Sequence, residues 1–300
     1  MTRKIALGAA IALLMCTPAG AATKPVTVKE LTKVAATQGA EGLTISGGAL
    51  VTYSNQSAAT ADIAVSALSI NGSSLWQKVV DSGGEDVATA IATAPDGAIW
   101  IAGTTSTSAQ IETTTPLTGI ENPDAVQVEP KPAARGSLNR IALWKLSSTG
   151  ELLASYSTEV AATPLVNSIS VNSSGVSVVG EISDKPFFIS MTISGTFSKV
   201  LSIGTSKTSL TSVVRQSDGS SSAFGASSET LGGKKLAGAR DGVLIKITKS
   251  GALSTVIRSS APKASRIWLS ADSSLLLSGS VLTGKVIETA LTKFAPTFNP

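Results

Sequence analysis

Apolar and polar residues alternate one by one through most of this 300-residue chain, and the alternation breaks at regular intervals on glycine or on a small polar cluster. The stretch "DVATAIATAPDGAIWIAGTTS", Asp86 to Ser106, shows the pattern most clearly: two runs of small and β-branched residues hinged on Pro95-Asp96-Gly97. Period-two alternation on both sides of a glycine-containing turn predicts an antiparallel hairpin. The same hairpin recurs around Gly47-Gly48, Gly175, Gly219 and Ser273-Ser274. Its second strand carries a glycine at Gly103, Gly180, Gly225 and Gly279, with Ser54 in that place in the first copy. A second hairpin follows each of the first four, turning at Asn71-Gly72, Gly150, Gly195 and Gly251.

The repeating unit is therefore a four-stranded meander, a-b-c-d, of roughly 45 residues, a length within the range of propeller blades. The fifth unit stops after strand c, "KVIETALTKF", Lys285 to Phe294, whereas "VTVKELTKV", Val26 to Val34, precedes the first unit without a partner. Pairing of these two leftovers would complete the last blade and close a ring, removing open sheet edges; the alternative is that 26–34 is a frayed arm or short helix. The fold class expected is an all-β propeller of four-stranded antiparallel blades, five in number, closed by an N-terminal strand. The strand glycines are expected to make room for a large residue facing them from the neighbouring blade. Trp76, Trp100, Trp144 and Trp268 fall inside strands, where packing between blades outweighs ligand stacking.

The first residues add a compartment. Arg3 and Lys4 precede an apolar run from Ile5 to Met15, too short to span a bilayer, and Ala19-Gly20-Ala21 supplies a small-x-small cleavage pattern. Residues 1–21 read as a secretory signal peptide and 22–300 as one propeller domain, with an uncleaved anchor as the rival. Cys16, the one cysteine, would leave with the signal, and the large Met15 before it argues against a lipid-attachment site. Disulfides, thiol catalysis and thiolate metal sites are then excluded from the mature chain. The chain has no histidine, which removes the commonest general base and transition-metal ligand. The net charge of +4 falls by two with the signal, too little to draw nucleic acid strongly. No cofactor is expected.

"NGSSLWQKVVDSGGEDVATAIATAPDGAIWIAGTTS", residues 71 to 106, resembles the bacterial β-propeller repeat of SBBP type. The matching positions are Gly72, Trp76, Gly83-Gly84, Asp86, Asp96-Gly97, Ala102-Gly103 and Thr104, and "ARDGVLIKITKSGAL", Arg240 to Leu253, is similar to the third strand of the same repeat. The resemblance implies a propeller, usually secreted, and no particular chemistry.

In an up-down meander the a–b and c–d turns share one face, and the b–c and d–a links share the other. Two b–c links are long, Thr107 to Asn139 and Ser227 to Asp241. The first contains one plausible strand, Ala125 to Val128, and a loop of that length is either functional or disordered. The second sets Lys234, Lys235 and Arg240 on glycine-flanked backbone. Candidate ligand-face residues are Glu85, Asp86, Arg135, Arg140, Lys234, Lys235, Arg240 and Asp241. The expectation is a secreted, monomeric, non-enzymatic binding or scaffolding module that contacts a cell-envelope or extracellular polymer or protein on this insertion face, with neither nucleic acid nor a membrane span involved. The alternative is a secreted carbohydrate-active hydrolase with a carboxylate pair, drawn from Glu41, Asp86 and Asp241, at the axial mouth.

Overall fold

The computed structural model describes residues 39–57, 61–106, 137–260 and 262–294, and every regular element among them is a β-strand. The first sheet runs β1 (Gly42–Ser46), β2 (Ala49–Ser57), β3 (Ala61–Leu68), β4 (Ser74–Val80). The second runs β5 (Asp86–Thr93), β6 (Ile99–Thr105), β7 (Arg140–Leu146), β8 (Leu152–Glu159). The third comprises β9 (Pro164–Asn172), β10 (Gly175–Ile182), β11 (Lys185–Met191) and the two-residue β12 (Leu201–Ser202). β13 (Thr208–Arg215), β14 (Ser221–Ser227), β15 (Asp241–Ile247) and β16 (Leu253–Ser259) form the fourth. β17 (Ala264–Ala271), β18 (Leu276–Thr283) and β19 (Val286–Lys293) form the fifth, which has three strands among the described residues. Each sheet is an antiparallel meander in chain order, so the hairpins read from the alternation are all present.

The sheets pack face to face in sequence. β1 lies beside β5, β5 beside β9, β9 beside β13 and β13 beside β17. Residues of all five first strands or their turns line one shared cavity. The arrangement is propeller-like, with each sheet a blade and its first strand innermost. A separate apolar layer fills each seam: Tyr53, Ile63 and Trp144 between the first and second blades, and Trp100, Phe187 and Met191 between the second and third. Phe188, Leu210 and Val256 fill the next seam, and Phe224, Trp268 and Phe294 the last. Trp100, Trp144 and Trp268 are fully enclosed. Trp76 and Tyr156, both on fourth strands, instead lie under the c–d turn of the next blade, where a Cβ on Gly150 or Gly195 would come within 2.7 or 2.5 Å of their rings.

The strand glycines have a different origin from the one expected. In four blades the first strand carries a β-bulge, with the extra residue at Thr89, Asn167, Thr211 and Leu269. The bulge pushes the carbonyl two residues earlier toward the paired second strand. A Cβ on Gly103, Gly180, Gly225 or Gly279 would sit 1.9, 2.0, 1.9 or 2.2 Å from the oxygen of Val87, Leu165, Ser209 or Ile267. What needs the space is backbone of the same blade, not a side chain from its neighbour.

The inner edges of β5, β13 and β17 are satisfied by side chains of the preceding blade. Asn55 of β2 accepts from the N–H of Ala88 at 2.7 Å and donates to its carbonyl at 2.9 Å. Asn167 and Thr211, two of the bulge residues, donate to the carbonyls of Leu210 and Trp268 at 2.8 and 2.6 Å. Ser168 and Ser170 accept from the N–H groups of Val213 and Arg215 at 3.3 and 2.9 Å, and Ser212 from that of Ala271 at 3.1 Å. Asn172 donates to the carbonyls of Arg215 and Gln216 at 3.1 and 2.8 Å. Unpaired buried backbone groups cost free energy, so these contacts fix how the blades are phased.

Leu43 and Ile45 on β1, and Val286, Ile287 and Leu291 on β19, are exposed apolar residues at the two ends of the series. The candidate closing strand 26–34, the signal segment 1–21, the candidate strand 125–128 and Arg135 lie outside the described residues. The bulge account makes a direct prediction. Gly225→Ala should destabilise the chain by about 1–3 kcal/mol or more through overpacking against Ser209, measured by urea unfolding. An unchanged midpoint would mean the bulge carbonyl is free to move.

Candidate functional site

The insertion face is built as scaffold where the candidate carboxylates lie. Asp86, the first residue of β5, is 0% exposed. Its carboxylate accepts from the Ser82 N–H at 2.7 Å, the Ser82 hydroxyl at 2.7 Å and the Thr105 hydroxyl at 2.6 Å, and so holds the d–a link against β6. Asp241, the first residue of β15, is also 0% exposed. It accepts from the N–H groups of Ala237 and Gly238 at 2.9 and 2.8 Å and pairs with Arg258 at 3.1 Å. Arg258 also donates to the carbonyls of Lys234 and Glu229. Leu231 plugs the same loop into the core, so residues 228–240 fold around a buried ion pair.

The remaining candidates divide similarly. Glu85 accepts from the Ala61 N–H at 3.0 Å. Arg140 is half-buried, donating to Ser157 at 3.0 Å and lying 3.9 Å from Glu159. Arg240 donates to Ser209 at 2.8 Å, and its own carbonyl accepts from Arg266 N–H. Lys234 and Lys235 are exposed. Glu41 is occupied by the Asn55 side chain at 2.5 Å and its N–H at 3.2 Å. Asp86 and Asp241 are thus closed to a ligand, each by its own set of partners. Among the described residues, no group of three or more His, Cys, Asp and Glu is placed to hold a metal ion, and no helix is long and apolar enough to cross a membrane.

A concave surface lies on the opposite face, at the a–b turns. An axial bowl of about 680 Å³ opens there, with Ile45, Thr93, Ser170, Ser212 and Ser273 each contributed by a different blade. A side cleft of about 470 Å³ shares Ala94, Pro95, Val171 and Asn172 with the bowl and continues to Lys145 and Ile193 between the second and third blades. A second cleft, of about 590 Å³, shares Gln216 and Ser217 with the bowl and continues to Lys249 and Leu275 between the fourth and fifth. The three depressions form one groove across the face.

The bowl is polar, whereas the two clefts are more apolar and are lined by Lys145, Lys246 and Lys249. Arg215, at the floor of the bowl, is half-buried and spends its guanidinium on Ser174, Val176 and Ser177 at 2.8–3.3 Å. Burial pulls its pKa down, while Asp218 works the other way. The turn aspartates fold back on their own loops: Asp96 accepts from the Ala98 N–H at 3.0 Å, and Asp218 from the Ser220 N–H at 2.9 Å. Lining residues were visible in the sequence as polar positions at Ser168, Ser170 and Asn172 within "NSISVN". Their alternation on an innermost strand was the available signal.

The chain matches no protein-family model and no curated protein. Solved structures of similar shape include a protein of unknown function from Bacteroides caccae, at 9% identity over 73% of this chain and 60% of that one, with TM-score 0.42. The cobalt-substituted apocarotenoid oxygenase (ACO) of Synechocystis is similar at 12% identity over 78% of this chain and 52% of that one, with TM-score 0.43. An ACO/RPE65 chimera follows at 11% identity, 78% and 52% coverage, and TM-score 0.40. The chain therefore spans little more than half the length of these structures.

The two enclosed carboxylates should titrate with opposite sign. Burial, against the opposing bonds from Thr105 and Ser82, raises the Asp86 pKa. Its contribution to stability is therefore fully present below the ordinary aspartate value of about 3.9 and is lost as pH rises through the folded pKa. At Asp241 burial also raises the pKa, but the Ala237 and Gly238 N–H groups and Arg258 outweigh it, leaving a net lowering. That contribution is present above the ordinary value and is lost as pH falls through the folded pKa. Unfolding free energy followed from neutral to acid pH in Asp86→Asn and Asp241→Asn should differ from the parent in opposite directions. Arg258→Met, which strands the buried Asp241 charge, should cost about 3–5 kcal/mol at neutral pH.

Proposed function

We propose that this chain is a secreted, monomeric five-bladed propeller that acts as a non-enzymatic binding module, taking its ligand in the axial bowl on the a–b-turn face. The observation that carries this reading is the bowl itself: all five innermost strands or their turns contribute to one polar bowl whose charged lining residue, Arg215, is engaged within the protein. The ligand face is thus moved from the insertion side, where Asp86 and Asp241 are enclosed. The insertion-side loop of residues 228–240 serves as a brace around Arg258 and Asp241. An extracellular polymer or protein remains the partner class. Closure of the fifth blade by segment 26–34 is part of the same proposal: β19 is the outer strand of a three-stranded sheet among the described residues, and a further strand would pair its open edge.

The bowl is tested by capture on arrays of extracellular polysaccharides and of peptides. Ser273→Trp, which narrows the bowl from the fifth blade, should weaken capture at least about tenfold, equivalent to ~1.4 kcal/mol, whereas Lys234→Ala/Lys235→Ala should leave it unchanged. The reverse pattern would return the ligand to the insertion face, and turnover of any captured polymer would defeat the non-enzymatic reading. Closure is tested separately: removing residues 22–34 should lower the melting temperature by at least about 5 °C, and an unchanged melt would contradict it.

A further inference from the structure

The side cleft between the second and third blades joins a lysine and an isoleucine that the fold itself leaves unused. Lys145 of β7 pairs across the sheet with Trp100 of β6 and sets its ammonium 5.6 Å from the centre of that ring. The indole is enclosed, with Tyr156 stacked on it at 6.1 Å, so the lysine head is the group presented to the cleft at this point. An ammonium carries three donors and no acceptor. Among the described residues, none of these donors meets a carboxylate or another hydrogen-bond acceptor. Asp96 and Asn172, which line the same cleft, are by contrast bonded within the protein. Asp96 accepts from the Ala98 N–H, and Asn172 donates to the carbonyls of Arg215 and Gln216.

Ile193 sits in the c–d turn of the third blade, one residue after Thr192, whose carbonyl accepts from the Gly195 N–H. The same turn closes on Ser147 and Gly150 in the second blade and on Thr248 and Gly251 in the fourth, where Ser148 and Lys249 take the place of Ile193. A turn position that is polar in those blades is therefore isoleucine, 53% exposed, where the turn borders this cleft. Ala94, Pro95 and Val171 continue the apolar lining into the bowl. We propose that the cleft is a small-molecule site for an aliphatic carboxylate, with the carboxylate on the Lys145 ammonium and the acyl chain along Ile193, Val171 and Pro95. The unpaired cation selects an anion, and the aliphatic lining selects a saturated chain, since the one ring in the wall is enclosed beneath Lys145. A mostly apolar pocket with one placed charge is the usual means of fixing a small ligand's orientation. The volume of about 470 Å³ lies within the range of such sites, about 300–1,000 Å³. This site is distinct from the bowl and does not depend on what the bowl takes.

The test is amide-resolved NMR of the full chain titrated with octanoate, with octanol, octylamine and acetate as comparisons. Octanoate should give saturable shifts at Lys145, Ser173 and Ile193. Octanol and acetate should each bind at least about tenfold more weakly, because one lacks the charge and the other the chain. Octanol or octylamine binding as tightly as octanoate would overturn the role of Lys145, and acetate binding as tightly would overturn that of the apolar wall. Lys145→Met, which keeps an unbranched side chain over Trp100, should weaken octanoate at least about tenfold. Ile193→Ser, the residue type of Ser148, should weaken it at least about threefold. Unchanged affinity in either variant would contradict the site, and the exposed turn position keeps the test intact if Lys145→Met unfolds. Ser273→Trp, on the fifth blade, should leave octanoate binding unaltered. A loss there would place octanoate in the bowl and overturn the cleft assignment, as would equal shifts at Lys249 and Leu275 in the second cleft. The absence of any saturable shift with octanoate would overturn the proposal outright.

Discussion

The edge of each first strand that faces the shared axis carries N–H and C=O groups its own sheet cannot pair, and the rest of the molecule is arranged around that constraint. An isolated sheet would leave the edge to water. A stack of sheets converging on an axis brings it against the preceding blade, where pairing or a desolvation penalty of about 1–3 kcal/mol per group follows. Here the pairing comes from short polar side chains: Asn55 to Ala88, Asn167 to Leu210, Ser168 to Val213, Thr211 to Trp268, Ser212 to Ala271. Short side chains suit the task because their reach is fixed by the backbone. They therefore lock the phase between blades as well as their separation.

The bulges belong to the same device. An extra residue in an innermost strand bends it and redirects a side chain, and at Asn167 and Thr211 the redirected side chain is the one that crosses to the next blade. The displaced carbonyl then requires a glycine opposite, which explains why Gly103, Gly180, Gly225 and Gly279 recur at one place in the repeat. The first blade has no bulge in its β1–β2 pairing, and there Asn55 on β2 provides the crossing bond from beside Ser54. At the fifth blade the bulge residue is Leu269, which has no donor to send onward and is exposed.

The hairpins, their turns and the repeat were legible in the sequence because alternation and turn glycines are local signals. The role of the strand glycines was not, because it depends on a bulge in the adjacent strand that no residue type marks. Asp86 and Asp241 read as candidate ligand-face residues because the meander places both on the insertion face. Whether such a group faces solvent or anchors a loop depends on partners such as Ser82, Thr105 and Arg258. Of these, only Ser82 is near in sequence. The bowl was equally hidden, since it is assembled from residues of five separate repeats.

The most direct test of the capping account is the stability of Asn55→Ala. Asn55 is bonded to both the N–H and the carbonyl of Ala88, so its loss leaves two groups of the neighbouring innermost strand unpaired while removing little apolar surface. The account predicts a loss of about 2–3 kcal/mol in urea unfolding, the sum expected for two partly buried hydrogen bonds left without partners. A loss within about 0.5 kcal/mol, the range of an ordinary surface substitution, would contradict it.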